Sequence, residues 1–335
     1  MRALFSLSVV AVVVLLTIAA VATSGGRFFV GTILPYAAIA TFLVGMIYRV
    51  LHWARSPVPF KITTTCGQQR SLSWIKHDNL ESPHNLWGVL GRMALEVLFF
   101  RSLFRNTKAE LKDGPRLVYG DARWLWLGGL AFHWSFLVIF VRHFKFFVEP
   151  VPGWVSGIQE LDGFFQIGLP IFYITDGILL AAITYLFFRR VVNPQLRYLS
   201  LAGDYFPLLL IGGLATSGVI MRHTSLRVDI TDVKLLATGL ISLDPVVPES
   251  LGAVFFVHLT MLSVLLLYFP FSKLVHMAGV FFSPTRNMSN NNREQRHINP
   301  WNYPVKVHTY EEWEDEFRDV MKAADMPLEK DVETK

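Results

Sequence analysis

Four histidines stand in two long apolar stretches, two to each stretch. His133 and His143 lie within Phe132-His133-Trp134-Ser135 and Val141-Arg142-His143-Phe144; His258 and His276 lie within Phe256-Val257-His258-Leu259 and Leu274-Val275-His276-Met277. An imidazole facing hydrocarbon costs free energy, so intramembrane histidines turn inward and serve a site. One alone is as readily explained by an interhelical hydrogen bond. Two in each of two helices form a ligand pattern. A rise of about 1.5 Å per residue separates His133 from His143 by roughly 15 Å and His258 from His276 by roughly 27 Å. Helices running antiparallel would bring His133 to His276 and His143 to His258, one pair towards each membrane face. Neutral imidazole is a good iron ligand, and two of them fill both axial positions of a haem, which closes it to oxygen and leaves electron transfer. The reading is therefore two haem b groups, with His143/His258 as the outer axial pair and His133/His276 as the inner one. The spacing carries a difficulty: eighteen residues return a side chain to the same helix face, whereas ten leave it about 80° away. Pro270, between His258 and His276, can bend the second stretch and absorb part of this.

Other residues are candidates of lesser weight. Asp176 is an acid within an apolar segment and a functional candidate by default, for carrying protons or for pairing with a neighbouring helix. Arg142, Lys145 and Arg222 fall near the outer pair and could hold propionates, although snorkelling explains them equally well. His223 could sit over a propionate or a quinol, or anchor a helix end. Phe132, Trp134, Phe136, Phe140, Phe255, Phe256, Tyr268 and Phe269 could wall a macrocycle, but aromatic residues at helical spacing are more often ordinary packing. His52, His77, His84, His297 and His308 read as solvated or locally bonded. Cys66, the sole cysteine, reads as a solvated loop residue, and its being alone excludes a disulfide, a C-x-x-C-H haem site and an iron–sulfur cluster held by this chain's cysteines.

The elements that must position these groups follow from composition. Of the 335 residues only 17% are charged, and the mean hydropathy is +0.40. A soluble domain usually carries about 25% charged residues, so the deficit points to lipid. Six segments are long and apolar enough to span: 3–22, 28–53, 125–148, 167–188, 204–222 and 250–277. The first could be a secretory signal, but its apolar run is too long for a signal core and favours a retained helix. The segment from Ala54 to Trp124 carries eleven Lys and Arg, whereas Glu149 to Gly168 carries acids and no base. The positive-inside rule then puts both termini in the cytoplasm, with Arg222, Arg227 and Lys234 as exceptions on an outer connection. The net charge of +5 fits this topology better than nucleic-acid binding. Trp87–Phe104 reads as an interfacial helix and Asp232–Leu243 as another on the outer surface. Thr309-Tyr310-Glu311-Glu312 opens a capped helix to about Ala324 with a Trp313, Phe317, Met321 stripe. The expected fold is an all-α integral membrane protein, a six-transmembrane-helix bundle binding two haem b groups. Its parts are two N-terminal spans (1–53), a cytoplasmic loop (54–124), a four-helix di-haem core (125–280) and a cytoplasmic tail (281–335).

With these histidines at these spacings, and with Gly218-Val219-Ile220-Met221-Arg222, Val228-Asp229-Ile230 and Lys234 before the last helix, the chain resembles the gamma subunit of respiratory nitrate reductase and its relatives over roughly Leu125 to Val280. Those are di-haem cytochromes b that oxidise quinol. The extra N-terminal helix, the long loop and the tail from Asn287 to Trp301 depart from that subunit and resemble the M subunits of sulfite-reduction-associated (Dsr) transmembrane complexes. The resemblance implies menaquinol as substrate and a prokaryotic cytoplasmic membrane. It also implies a cytoplasmic iron–sulfur partner similar to heterodisulfide reductase, together with further membrane and periplasmic subunits. The alternative within the resemblance is a nitrate reductase gamma-type or heterodisulfide reductase-type cytochrome b serving another acceptor. A membrane metalloenzyme is disfavoured, because no H-E-x-x-H or comparable cluster is present and the four histidines are too spread out to serve one metal. Two rivals stay open from the residues alone. A proton-coupled transporter would use the histidines and Asp176 as relays and usually shows inverted repeats or broken helices, which the sequence does not display. Electron flow towards quinone is the other.

Overall fold

A computed structural model describes residues 1–23, 25–56, 67–166, 168, 170–291, 293 and 307–329. Cys66 and His297 lie outside the described residues, as does much of the tail from Asn292 to Trp301. Among the described residues five helices are long and apolar enough to cross a membrane: α1 (Arg2–Val21), α2 (Gly26–Ala54), the segment Arg123–Phe146, Ala202–His223, and Ala253–Phe271. Between the second and third come α3 (Leu86–Phe99) and an antiparallel hairpin, β1 (Thr107–Lys112) with β2 (Arg116–Asp121). Then follow α4 (Arg123–His143), α5 (Gly153–Asp162), α6 (Ile174–Val192), α7 (Ala202–His223), α8 (Ile230–Ser242), α9 (Ala253–Tyr268) and α10 (Tyr310–Ala323). Large side chains such as Leu15 and Leu16 in α1 and Val44 in α2 are about two-thirds exposed. That is costly in water and natural against lipid.

Four departures from the sequence-based expectation have physical causes. The chain is mostly helical, as expected, with a two-stranded hairpin in the loop before α4; its three-residue turn Asp113-Gly114-Pro115 places Gly114 at a φ of +83°, a conformation that favours glycine. α6 starts later than the expected span at 167, carries Asp176, Arg189 and Arg190, and so falls outside the five. It nevertheless packs against α4 and α7, with Leu179 and Ile183 in the core. α2 contains a π-turn at Phe29–Ile33.

The fourth departure concerns the expected helix 250–277, which does not run through. α9 ends at Tyr268, a 3-10 turn covers Phe269–Phe271, and Ser272 is extended before two further short turns carry His276. Pro270 has no N–H to continue the ladder. It is fully buried, and a Cβ on Gly45 of α2 would come within 2.6 Å of its ring. Backbone interrupted at membrane depth needs internal partners. Here Arg49 Nε donates to the Pro270 carbonyl at 2.9 Å, and Leu274 N donates to the Ser272 hydroxyl at 3.1 Å.

One core joins four helices: Val10 of α1, Leu179 and Ile183 of α6, Leu210, Ile211 and Leu214 of α7, and Val257, Met261 and Leu265 of α9. α1 is thus packed into the bundle, and its Arg2 and Ser6 donate to the carbonyls of Ser200 and Ala202 at 2.8 and 2.9 Å. A second cluster places Leu236 of α8 against Val30, Leu251, Phe255 and Phe256. α8 is capped by Asp229, which accepts from Thr231 N. α10 is capped by Thr309 and Glu312 in a reciprocal box, as its sequence leads one to expect. Of its stripe, Met321 is buried while Trp313 and Phe317 stay part-exposed.

Candidate functional site

The four histidines meet in two pairs. His143, the last residue of α4, faces His258 in the second turn of α9, with ring centres 6.3 Å apart and planes 4° from parallel. His133, ten residues earlier in α4, faces His276 with centres 6.0 Å apart and planes at 79°. α4 and α9 therefore run antiparallel. The straight-helix separation does not apply between His258 and His276, because the helix ends at Tyr268 and short turns lead to His276.

Each ring has its Nδ1 occupied. His133 bonds the Gly129 carbonyl at 2.8 Å, His143 the Ile139 carbonyl at 2.6 Å and His276 the Lys273 carbonyl at 2.7 Å. A carbonyl only accepts, so Nδ1 carries the proton in all three and Nε2 keeps its lone pair. His258 Nδ1 meets Ser217 Oγ at 2.9 Å. Because that hydroxyl donates to the Leu214 carbonyl at 2.9 Å, it accepts from His258, which leaves Nε2 free here too. Such outer bonds are what orient metal-binding imidazoles. Two imidazoles bound axially through Nε2 at about 2.0 Å, with about 1.1 Å more from nitrogen to ring centre, have centres roughly 6.2 Å apart. Both pairs fit that separation. Among the described residues no group of three or more His, Cys, Asp or Glu converges on one point, so the pairs do not suit a single multi-ligand metal centre.

Around the His143 end the charged residues are committed to one another. Arg142 is 6% exposed; it pairs with Asp176 and, at 3.2 Å, with Asp162. Its guanidinium lies 3.8 Å from the centre of the Tyr173 ring, and that of Arg222 lies 4.4 Å from it. Neither arginine snorkels; Arg222 also donates to the Ile171 carbonyl at 3.0 Å. Asp162 accepts from the backbone and hydroxyl of Thr175 at 2.9 and 2.7 Å. Asp176 sits in the first turn of α6, where a helix N-terminus favours negative charge, rather than in mid-span. Lys145 donates to Gln159 at 2.8 Å, and Lys234 pairs with Glu149. The basic exceptions on this connection are thus largely held by local partners. His223 lies against Phe172, with ring centres 5.4 Å apart. Its Nε2 is buried with no hydrogen-bond partner among the described residues.

At the His133 end, α3 finishes at Phe100, in the left-handed region, and the Phe100 ring contacts His133 at 4.9 Å between centres. The terminal carbonyls of Leu98 and Phe99 are taken by the indole N–H groups of Trp134 and Trp126 at 2.9 and 2.7 Å, which meets the ordinary need of a helix end. Trp134 and Phe140 are 41% and 55% exposed. Phe132, by contrast, packs on His133, and Phe255 and Phe256 are buried. Lys273, whose carbonyl holds His276, bonds Asp204 of α7 at 2.6 Å. The remaining described histidines stay apart: His52 stacks on Tyr48, His77 meets His84 edge to face with ring centres 5.4 Å apart, and His308 lies 4.0 Å from Glu316.

Sequence reasoning missed Ser217, Asp162, Tyr173 and Arg49. Arg49 is a charge inside an apolar span and could have been singled out. Asp162 was legible only as loop charge. No sequence signal marks Ser217 or Tyr173, because their partners come from other elements.

Residues 84–292 match the family described as the nitrate reductase gamma subunit. The match begins well before Leu125, taking in α3 and the hairpin, and ends past Val280. Two relatives are each described as an Hdr-like menaquinol oxidoreductase cytochrome b-like subunit. One, from Archaeoglobus fulgidus, is 44% identical over 278 residues, covering 81% of this chain and 82% of its own. The other, from Archaeoglobus profundus, is 40% identical over 275 residues, covering 80% and 81%.

Proposed function

Because the chain belongs to the nitrate reductase gamma subunit family, we propose that it is the cytochrome b subunit of a membrane complex that oxidises menaquinol. In this reading α6 is the sixth span and both termini are cytoplasmic. His143 with His258, and His133 with His276, are the axial ligands of two haems b. Bound between such pairs, haem supplies one-electron transfer and, with both axial positions filled, no oxygen chemistry. The observation that carries the proposal is the meeting of two opposed imidazole pairs, 6.3 and 6.0 Å between centres, whose α4 members stand ten residues apart on one helix.

The chain's residues do the rest. Gly129, Ile139 and Lys273 hold the Nδ1 protons through their carbonyls and so present Nε2. The quinol site lies at the His143 end, among Asp176, Lys145, Arg142, Arg222 and His223. There the paired Arg142, Asp162 and Asp176 build a charged wall, and His223 Nε2 is a buried base with no hydrogen-bond partner among the described residues that accepts a hydroxyl proton. Oxidation of menaquinol to menaquinone releases two electrons and two protons. The protons leave outward and the electrons leave at the cytoplasmic end, to an iron–sulfur subunit similar to heterodisulfide reductase. The name carried by the archaeal relatives supports this partner. The basic segment 54–124 and the part-exposed Trp313 and Phe317 of α10 dock it. The N-terminal spans and tail favour a place in dissimilatory sulfur metabolism, alongside further membrane and periplasmic subunits.

A reduced-minus-oxidised spectrum of the purified protein shows b-type bands if this is right. His143→Ala and His258→Ala then each abolish one haem together with quinol-dependent reduction. Retention of both haems in those variants overturns the assignment.

A further inference from the structure

Three of the four histidines anchor Nδ1 on a peptide carbonyl three or four residues earlier in their own chain segment. His258 alone is anchored from another helix, by the Ser217 hydroxyl of α7 at 2.9 Å, with the Leu214 carbonyl of the same helix as a further acceptor for its ring. We propose that Ser217 is a positioning residue for His258: it selects the tautomer that leaves Nε2 free and sets the electron-donating strength of that imidazole. The inference rests on the haem reading above.

The geometry assigns the direction of the bond. Ser217 is 6% exposed, and its proton is committed to the Leu214 carbonyl at 2.9 Å. Its oxygen therefore accepts from His258. Were the hydroxyl to turn and donate, Nδ1 would be the lone-pair nitrogen and Nε2 would carry the proton, a form unable to bind metal through Nε2. The bond that the hydroxyl donates to the Leu214 carbonyl guards against this. The contact also ties α7 to α9, fixing the ring whose plane lies 4° from that of His143. A hydrogen bond from Nδ1–H raises the basicity of a ligating imidazole. A more basic ligand stabilises the oxidised metal and lowers its potential, so loss of the acceptor raises it.

The test is a redox titration of the purified native complex, with low-spin electron paramagnetic resonance of each haem. In Ser217→Ala one midpoint rises and one low-spin signal changes while the other haem is untouched; Ser217→Thr, which keeps the hydroxyl, restores both. Loss of that single haem in Ser217→Ala, with rescue by Ser217→Thr, supports the same assignment. If the alanine variant does not accumulate, Ser217→Cys, a weaker acceptor of similar shape, shifts the same midpoint upward. Unchanged potentials and signals, a fall in potential, changes in both haems alike, or no rescue by threonine overturn the proposal. Wild-type protein devoid of b-type haem instead defeats the wider functional reading, an outcome visible before any variant is made.

Discussion

The imidazole planes of His143 and His258 are within 4° of parallel, whereas those of His133 and His276 stand at 79°. The difference follows from how each ring is held. His143 and His258 sit on regular helix and are fixed by the Ile139 carbonyl and by Ser217. His276 sits on a short turn after an interrupted helix, with its orientation set by the Lys273 carbonyl. The relative orientation of two axial imidazoles controls the splitting of the metal orbitals they overlap. The oxidised protein is expected to show two distinct low-spin signals, the more anisotropic one from the perpendicular pair. Assigning that signal to His143/His258 by histidine variants would contradict the structure.

Ligand loss should be pairwise. Replacing His133 or His276 by Ala is expected to remove the same haem, and replacing His143 or His258 the other. Haem quantification by pyridine haemochrome reads about half of the wild-type content in each case. Any variant that loses a haem belonging to the opposite pair breaks the pairing.

Arg142 is shared by two buried carboxylates, Asp162 and Asp176. Removing one partner of a buried ion pair leaves an uncompensated charge and costs about 3–5 kcal/mol. Arg142→Leu should therefore lower thermal stability in detergent clearly more than a triple variant that also neutralises Asp162→Asn and Asp176→Asn. Equal destabilisation of the two would mean that the cluster contributes packing rather than charge balance.

The interruption after Tyr268 places His276. Pro270→Ala restores a backbone donor and favours a longer α9, which would carry His276 away from His133. The expected result is weakened occupancy at the His133 end with the His143 end intact. Gly45→Val, whose added side chain meets the Pro270 ring, should act at the same end; overpacking of this kind costs typically about 1–3 kcal/mol. Spectra that lose the haem of the His143 pair instead would refute this account.

In the loop before α3, the backbone N–H of Glu81 holds the Asp78 carboxyl below its ordinary value of 3.8, helped by the N–H of Leu80 and by Arg101 and Arg105, against a smaller raising effect of burial. A carboxyl with a depressed folded-state pKa contributes stability that is present above its unfolded value and lost as pH falls through the folded one. Hydrogen-exchange protection around residues 78–82, corrected for the intrinsic pH dependence of amide exchange, should stay constant from neutral pH down to about pH 4 and fall only below it. Asp78→Asn should remove that acid dependence.

Composition and periodicity determined much of this protein, because they report local chemistry. Apolar runs about 20 residues long mark spans, Thr309 and Glu312 mark the start of α10, and two histidines in each of two apolar runs mark a pair of sites. Even the antiparallel pairing of 133 with 276 and 143 with 258 was legible, since connectivity limits how such helices can face each other. Three features were decided only by tertiary structure. The end of α9 depends on Pro270 meeting Gly45 and on Arg49 taking the freed carbonyl; without those partners a proline alone bends a helix as readily as it ends one. The commitment of Arg142 to Asp162 and Asp176 joins three elements that no spacing relates. The choice of Ser217 for His258 rests on an angle between two helices. A sequence records what each residue can donate or accept, but a hydrogen bond of 2.9 Å is settled only when separate helices pack into one rigid arrangement.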